Sequence, residues 1–265
     1  MPSIARGDTS VAYEVRGPKE AGAVVLLHNI FCDRRVFEGV VTALEPRHRT
    51  IAVDFRGHGE STLGADPYEV ADLVGDVVAI LDQEGIARPA VVGLSLGATV
   101  ALELALAHPD RVERLVLMGA DADPDGGIAS LRNALFCRLV MLLGMRSFVL
   151  SGVAGTLYGR WFRTAAAADF RVHRQRLAAL DRLAANRAMR AWASRRPLRD
   201  AAASLRMPTR IVVGDQDVSC PLPCGQRLQQ VIPGAELVRI PDAGHTMTAE
   251  RPADCAAAVA SFLER

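Results

Sequence analysis

The chain has 265 residues, half of them apolar, and its 31 basic and 30 acidic side chains leave a net charge of +1. A chain of this length can bury one large core, and it holds no apolar run near the roughly 20 residues that a membrane-spanning helix needs. The first residues, MPSIARGDTS, lack the apolar segment of a secretory signal, so we expect a cytoplasmic protein with no membrane partner.

The chain opens with strand-like sequence. Residues 10–16 (SVAYEVR) alternate apolar and polar side chains, as a half-buried strand does, and the Gly-Pro pair that follows ends the alternation. Residues 23–27 (AVVLL) and 50–53 (TIAV) are nearly continuous apolar runs, which are typical of strands buried on both faces.

Helical periodicity separates and follows these runs. Apolar residues recur at helical spacing over residues 36–44, and a longer amphipathic pattern covers residues 70–81. The strand at residues 90–93 (AVVG) leads into helical sequence at about 95–107, and residues 114–118 form the next strand.

The alternation breaks off at about residue 121. From there to residue 203 the sequence is rich in Ala, Leu and Arg and contains no buried strand run. Strands resume at residues 211–213 and 236–240, with helices near residues 226–231 and 252–263.

Strands that alternate with helices predict a mainly parallel sheet covered on both faces. We therefore predict a core domain of residues 1–121 and 204–265, and a helical insertion of residues 122–203.

Ser95 lies in the stretch GLSLG, where a strand gives way to a helix. Ligands of a parallel sheet bind beyond the carboxyl ends of its strands. Glycine at positions 93 and 97 removes the Cβ atoms that would clash at a sharp turn, and the helix that follows directs free N–H groups at the site. This context favours a nucleophile over the alternative, a glycine-flanked serine that caps the helix.

Two further polar residues follow strands of the same sheet. Asp217 comes after IVV, and His245 comes after ELVRI, so both are expected at the edge where Ser95 lies. The chain order Ser, Asp, His is one known solution of the catalytic triad. Asp215, Asp121 and Asp123 remain alternatives for the acid.

Six landmarks together resemble the α/β-hydrolase fold superfamily, in its serine-dependent form with a helical cap. They are LLH at 26–28, DFRGHGES at 54–61, GLSLG at 93–97, HPDRVERLVLMGA at 108–120, VGDQD at 213–217 and AGH at 243–245. The resemblance covers nearly the whole chain. It implies a mostly parallel eight-stranded sheet with helices on both faces and a cap over residues 122–203. A serine at position 95 distinguishes the chain from members with an aspartate nucleophile, such as haloalkane dehalogenases and epoxide hydrolases.

The resemblance also implies roles for the candidate residues. Ser95 would be the nucleophile, His245 the general base and then acid, and Asp217 the group that orients the imidazole. The oxyanion would be held by the backbone N–H groups of Leu96 and Ile30.

The loop before Ile30 departs from the family pattern. Relatives usually carry His-Gly, whereas this chain has His28-Asn29. Asn tolerates positive φ, so we expect Asn29 to preserve the shape of the loop, and we include its side chain among the candidate substrate contacts. His28 is expected to brace the loop.

The insertion is rich in large apolar side chains, over residues 128–150 and again at Tyr158, Trp161 and Phe162. Packing explains most of them. As a group they predict an apolar acyl or aromatic ligand, with Phe136 and Trp161 as candidate substrate contacts.

Charge is segregated along the chain. Residues 132–199 contain 14 arginines against two acidic residues, a net +12, and the remainder has 17 basic against 28 acidic residues, a net −11. A solvated face attracted to an acidic body explains this pattern. The alternative is a dock for an anionic substrate or an acidic carrier protein, since some capped esterases of the family act on carrier-bound acyl groups. Only Lys19 is a lysine. A GC-rich genome is enough to produce this preference for arginine, so we do not take it as a nucleic-acid signal.

The five cysteines are odd in number and suggest no disulfide framework. Cys220 and Cys224 bracket PLP, but other Cys or His residues are lacking nearby, so we predict no metal site.

We predict a cofactor-free serine hydrolase that cleaves a carboxylic ester or lactone of a small, largely apolar acyl group. An acyl group that is anionic, or that is carried on a protein, is also compatible with the sequence. The alternatives are a C–C bond hydrolase acting on a diketone, a perhydrolase of the haloperoxidase type, and a ligand receptor that uses the pocket. The oligomeric state cannot be inferred from the sequence.

Overall fold

A computed structural model describes residues 1–124 and 126–264, without the side chains of residues 128–130, 132, 133, 137 and 147. The side chains of Ile128, Arg132 and Cys137, which belong to features noted in the sequence, therefore lie outside the described residues.

In the part of the chain that the structure describes, eight strands form one sheet: β1 (Ser3–Arg6), β2 (Thr9–Arg16), β3 (Ala23–Leu27), β4 (Arg49–Val53), β5 (Ala90–Leu94), β6 (Arg114–Met118), β7 (Thr209–Gly214) and β8 (Glu236–Ile240). Their order is β1-β2-β4-β3-β5-β6-β7-β8. The pairs β1–β2 and β2–β4 are antiparallel and the other pairs are parallel, which confirms the predicted fold class.

The α-helices of the described residues are α1 (Glu38–Leu44), α2 (Val70–Gln83), α3 (Leu96–Ala107), α4 (Gly127–Leu143), α5 (Ser147–Leu157), α6 (Arg160–Thr164), α7 (Ala167–Ala179), α8 (Arg182–Ala193), α9 (Arg199–Ala202), α10 (Leu222–Val231), α11 (Met247–Glu250) and α12 (Pro252–Leu263). Short 3₁₀ turns cover Arg34–Phe37 and Pro109–Arg111. Within the described residues, no helix combines the length and apolar character needed to cross a membrane.

The parallel strands are buried on both faces because each face packs against helices. Along β3, Val25 and Leu27 belong to one core, with α2 and α3, and Val24 and Leu26 belong to the other, with α1 and α12. Successive side chains of a strand point to opposite faces, so a continuous apolar run serves both cores at once.

The structure differs from the sequence expectation at two strands. Strand β1 has no counterpart among the strands that the residue pattern predicts, because this edge strand has only four residues and two of them are exposed. Strand β7 starts at Thr209, two residues earlier than predicted, because its Arg210 is buried yet fully paired. The Arg210 guanidinium bonds the Glu236 carboxylate at 2.5 Å and the Ala258 carbonyl at 2.6 Å.

Helices α4 to α9, here called the inserted helices, all lie between β6 and β7 in the chain. Helices α4 to α8 share an apolar cluster separate from the two cores of the sheet, which includes Val140, Val153, Phe162 and Met189. Phe31, from the loop after β3, belongs to this cluster, so the inserted helices pack against the carboxyl end of the sheet.

Candidate active site

Ser95 occupies the turn between β5 and α3 with φ 55° and ψ −112°. Residues with a side chain rarely adopt positive φ, and the Ser95 N–H is held by the Met118 carbonyl at 2.9 Å. A Cβ at Gly93 would overlap the carbonyl of Gly97, and a Cβ at Gly97 would overlap the carbonyl of Leu27. Both glycines are therefore required for the tight turn that presents Ser95.

His245 and Asp217 meet at the same edge of the sheet. The His245 Nδ1 lies 2.8 Å from Asp217 Oδ2, and the two residues are only 3% and 5% exposed. Asp217 Oδ1 accepts the N–H groups of Ser219 and Cys220, each at 2.8 Å. A Cβ at Gly119 would lie 3.1 Å from His245 Nδ1, so the glycine after β6 leaves room for the pair.

Electrostatics favour the charged state of this pair. Burial opposes a carboxylate at Asp217, but the charge and hydrogen bond of His245 and the two N–H donors lower the pKa of Asp217. Burial also opposes an imidazolium, yet the charge and hydrogen bond of Asp217 raise the pKa of His245. The pair is therefore suited to a base that gains a proton during a reaction.

The three alternative acids do not take this position in the described residues. Each pairs with an arginine instead: Asp215 with Arg239 at 2.8 Å, Asp121 with Arg227 at 2.8 Å and Asp123 with Arg199 at 3.3 Å.

Two backbone N–H groups near Ser95 are free to receive a ligand. Leu96 is the first residue of α3, where an N–H has no partner within the helix. Ile30 lies in the loop after β3. No hydrogen bond of the described residues uses either N–H. The structure thus leaves both predicted oxyanion donors available.

His28 fixes the loop that carries Ile30. Its Nε2 accepts the N–H of Phe55 at 2.9 Å, which leaves Nδ1 to donate to the Asn29 carbonyl at 2.8 Å. Burial lowers the pKa of His28 to about 4, so the ring stays neutral. The His28 carbonyl in turn accepts the N–H of Gly97 at 3.1 Å, which joins this loop to the turn around Ser95.

The backbone expectation for Asn29 is wrong. The loop residue with positive φ is Phe31, at 67°, and Asn29 is not among the residues with this conformation. The Asn29 side chain is fully buried and donates from Nδ2 to Thr246 Oγ1 at 3.1 Å. It joins the loop after β3 to the loop that carries His245 and is not among the residues that line the cavity with Ser95, so we do not retain it as a substrate contact.

Ser95 and His245 line one cavity of about 570 Å³. Its apolar wall consists of Ile30, Phe31, Phe136, Leu157, Met189, Trp192, Ala193 and Val218. No lysine, arginine, aspartate or glutamate is among the described lining residues. No hydrogen bond of the described residues joins the Ser95 hydroxyl to the His245 ring, as is common before substrate tightens a site.

Of the two aromatic residues predicted to contact substrate, only Phe136 lies on this wall. Trp161 instead stacks against Arg251, whose guanidinium carbon is 3.7 Å from the ring centroid. Trp192 was missed. It follows Ala185, Ala188 and Met189 at helical spacing, and this apolar stripe was the signal that could have revealed it.

A larger and more open groove of about 1070 Å³ lies between α4, α8 and residues 67–69. Neither Ser95 nor His245 lines it, so we do not assign the chemistry to this groove.

Known proteins resemble the chain over nearly its whole length. The sequence profile of a family described as alpha/beta hydrolase fold matches residues 22–252. The "Putative carbamate hydrolase RutD" of Variovorax paradoxus (strain S110) is 32% identical over 265 residues, which cover 96% of each chain.

Solved structures share its fold over nearly the whole chain. The enol-lactonase from Burkholderia xenovorans LB400 has a TM-score of 0.91 at 27% identity and covers 100% of both chains. A thermophilic esterase from Thermogutta terrifontis (malate bound) has a TM-score of 0.91 at 25% identity and covers 98% of this chain and 95% of that one.

Proposed function

The chain belongs to the alpha/beta hydrolase fold family and is a hydrolase, and on that premise we propose that it cleaves a carboxylic ester or lactone through an acyl-enzyme on Ser95. The observation that carries the proposal is the 2.8 Å contact between His245 Nδ1 and Asp217 Oδ2. His245 lines the same cavity as Ser95, which lies at a turn with positive φ.

The proposed reaction has two halves. His245 Nε2 takes the proton of Ser95 as the hydroxyl oxygen attacks the acyl carbon, and His245 then gives that proton to the departing alcohol oxygen. A water molecule next attacks the acyl carbon while His245 takes one of its protons. His245 then returns that proton to the Ser95 oxygen as the bond between this oxygen and the acyl carbon breaks, which releases the acid and restores the free hydroxyl. Asp217 keeps Nδ1 protonated throughout and stabilises the imidazolium.

The N–H groups of Leu96 and Ile30 are the proposed donors to the oxyanion. Each is expected to contribute about 10²- to 10³-fold to the rate, because fixed donors stabilise the charge that develops in the transition state. Their lack of other partners in the described residues supports this role.

The cavity supports a neutral, largely apolar acyl group. No lysine, arginine, aspartate or glutamate lies on its described wall, and burying a carboxylate there without such a partner would be costly. We therefore drop the anionic substrate. A space of about 570 Å³ also exceeds what a carbamate group alone would fill. We therefore favour an ester or lactone as substrate over a carbamate, the substrate in the relative's name.

We expect the wild type to hydrolyse p-nitrophenyl esters, with kcat/KM rising with acyl length from acetate before it declines. Trp192→Ala enlarges the cavity and removes apolar contact, so the preferred acyl chain should lengthen and kcat/KM for short esters should fall on the order of tenfold. Steady-state kinetics on the ester series measure both effects.

The matched control is Trp161→Ala, the same change away from the cavity, which should keep the shape of the chain-length profile. A profile that shifts equally in both variants would contradict the proposed acyl pocket. Lactones, diketones and peroxide with acetate belong in the same panel, because they distinguish the ester or lactone reading from C–C hydrolysis and perhydrolysis.

We further propose that residues 122–203 form a cap whose outer face receives an acidic carrier protein. Arg160, Arg163, Arg171, Arg174 and Arg182 are exposed and make no ion pair with any described residue. Other arginines of the insertion face the body instead: Arg187 donates to the carbonyls of Gly64 and Ala65, and Arg196 lies 3.8 Å from Glu103.

Replacing Arg171 and Arg174 together by serine tests this surface. At low salt, kcat/KM for an octanoyl group carried on an acyl carrier protein should fall roughly tenfold, because exposed charges steer association. The value for p-nitrophenyl octanoate should not change. An equal loss with both substrates, or no loss with either, would contradict the carrier surface.

We place this activity in the cytoplasm. The four cysteines in the described part of the chain are buried free thiols, which suits a reducing compartment.

A further inference from the structure

Glu250 is a buried carboxylate that the proposed reaction does not use. It ends α11, five residues after His245, and is 3% exposed. Its Oε2 accepts two backbone N–H groups, from Gly244 at 2.9 Å and from Gly159 at 2.8 Å. One oxygen therefore binds both Gly244, the residue before the general base, and Gly159, the residue that precedes α6 of the cap.

The surrounding contacts join the same two parts of the molecule. The N–H of Thr246 donates to the Leu157 carbonyl at 2.8 Å. The N–H of Trp161 donates to Gln216 Oε1 at 3.1 Å, beside the acid of the triad. A Cβ at Gly244 would overlap the nitrogen of Gly159, so the two backbones approach as closely as glycine permits.

Glu250 also interacts electrostatically with Asp217 and His245. Burial raises the pKa of Glu250 to about 7, its two N–H donors oppose this rise, and the charges of Asp217 and His245 act on it in opposite directions. The Tyr158 hydroxyl and the Cys255 thiol are the other titratable groups that its charge reaches. Its second oxygen, Oε1, is buried with no partner among the described residues.

We propose that Glu250 is a positioning residue: its carboxylate joins the backbone before His245 to the cap at Gly159, and its negative charge favours the protonated ring. The inference deepens the proposed function and depends on His245 acting as its base. When Glu250 is ionised, the imidazolium is stabilised and His245 titrates at a higher pH. Losing that charge shifts the titration to lower pH.

Glu250→Gln tests this, because the amide keeps an oxygen that can accept both N–H groups while the charge is lost. The acid limb of kcat/KM for a p-nitrophenyl ester should move to lower pH by roughly half a unit, less than a charge in direct contact produces. The kcat should fall about three- to tenfold with little change in KM, since positioning acts on the reacting base. Glu250→Ala, which also removes the acceptor, should lower kcat further.

An independent readout is the ¹⁵N NMR titration of the six histidine rings, with the His245 signal assigned by its loss in His245→Gln. Its midpoint should move in Glu250→Gln in the same direction as the kinetic limb. Glu113→Gln, at an exposed site, is the matched control. A His245 midpoint unchanged in Glu250→Gln would overturn the inference. If the wild type cleaves no ester, the proposed function fails, but the NMR midpoints still decide the role of Glu250.

Discussion

Ser95→Ala should lower kcat for ester hydrolysis by about 10⁴- to 10⁶-fold, because the acyl-enzyme cannot form without the hydroxyl oxygen. KM should change little, since the apolar wall that binds the acyl group is intact. The turn itself should survive, because Ser95 is held by its backbone N–H and by the two flanking glycines. Burst and steady-state kinetics on a p-nitrophenyl ester measure the loss.

Ser219→Ala is the matched control, since Ser219 lines the same cavity and its hydroxyl donates to the Thr156 carbonyl. It should retain activity within about threefold of the wild type, as expected for one exposed neutral hydrogen bond. Equal inertness of wild type and Ser95→Ala across esters, lactones and diketones would instead favour a ligand receptor.

Asp217→Asn should lower kcat about 10⁴-fold near neutral pH. The carboxylate accepts the proton on His245 Nδ1 and so leaves Nε2 free to take the proton of Ser95. An amide can donate to Nδ1, which places the ring proton on Nε2 and disables the base. The fold should persist, because the Asn oxygen can still accept the N–H groups of Ser219 and Cys220.

Asp215→Asn is the control for this change, because Asp215 lies two residues away and pairs with Arg239. Its activity should stay within a few-fold of the wild type. If Asp217→Asn kept a high rate and Asp121→Asn or Asp123→Asn lost it, the acid would have been assigned to the wrong loop.

The sheet could be predicted because its residues obey simple periodicities. Apolar runs such as residues 23–27 and 115–118 fall within β3 and β6, since a strand covered on both faces has few polar positions. Strand β1 escaped detection because a short edge strand has few buried positions. The start of β7 was not predicted because Arg210 is a charged residue. Its burial depends on hydrogen bonds to Glu236 and Ala258, which are far away in the sequence.

The triad residues could be placed at one edge because the carboxyl ends of parallel strands share that edge. The contacts between the loops that carry these residues could not be predicted in this way. In the loop after β3 the residue with positive φ is Phe31, which packs against the inserted helices, whereas local preference alone favoured Asn29.

The wall of the cavity was the hardest part to foresee. Trp161 and Trp192 both lie in helical sequence, and only the packing of α6 and α8 decides which ring meets the cavity. Glu250 gave only a faint signal in the sequence, an acidic residue five positions after His245. Its partner Gly159 is 91 residues away, beyond any local pattern.

The central claim is that an imidazole activates the hydroxyl of Ser95 for attack on an acyl carbon. Labelling with a p-nitrophenyl alkylphosphonate, followed by peptide mass spectrometry, tests it most directly because the adduct marks the nucleophile. We predict one adduct per chain, on Ser95, that forms far more slowly in His245→Gln. An enzyme that hydrolyses esters but carries its adduct on another residue, or labels equally fast without His245, would contradict the account.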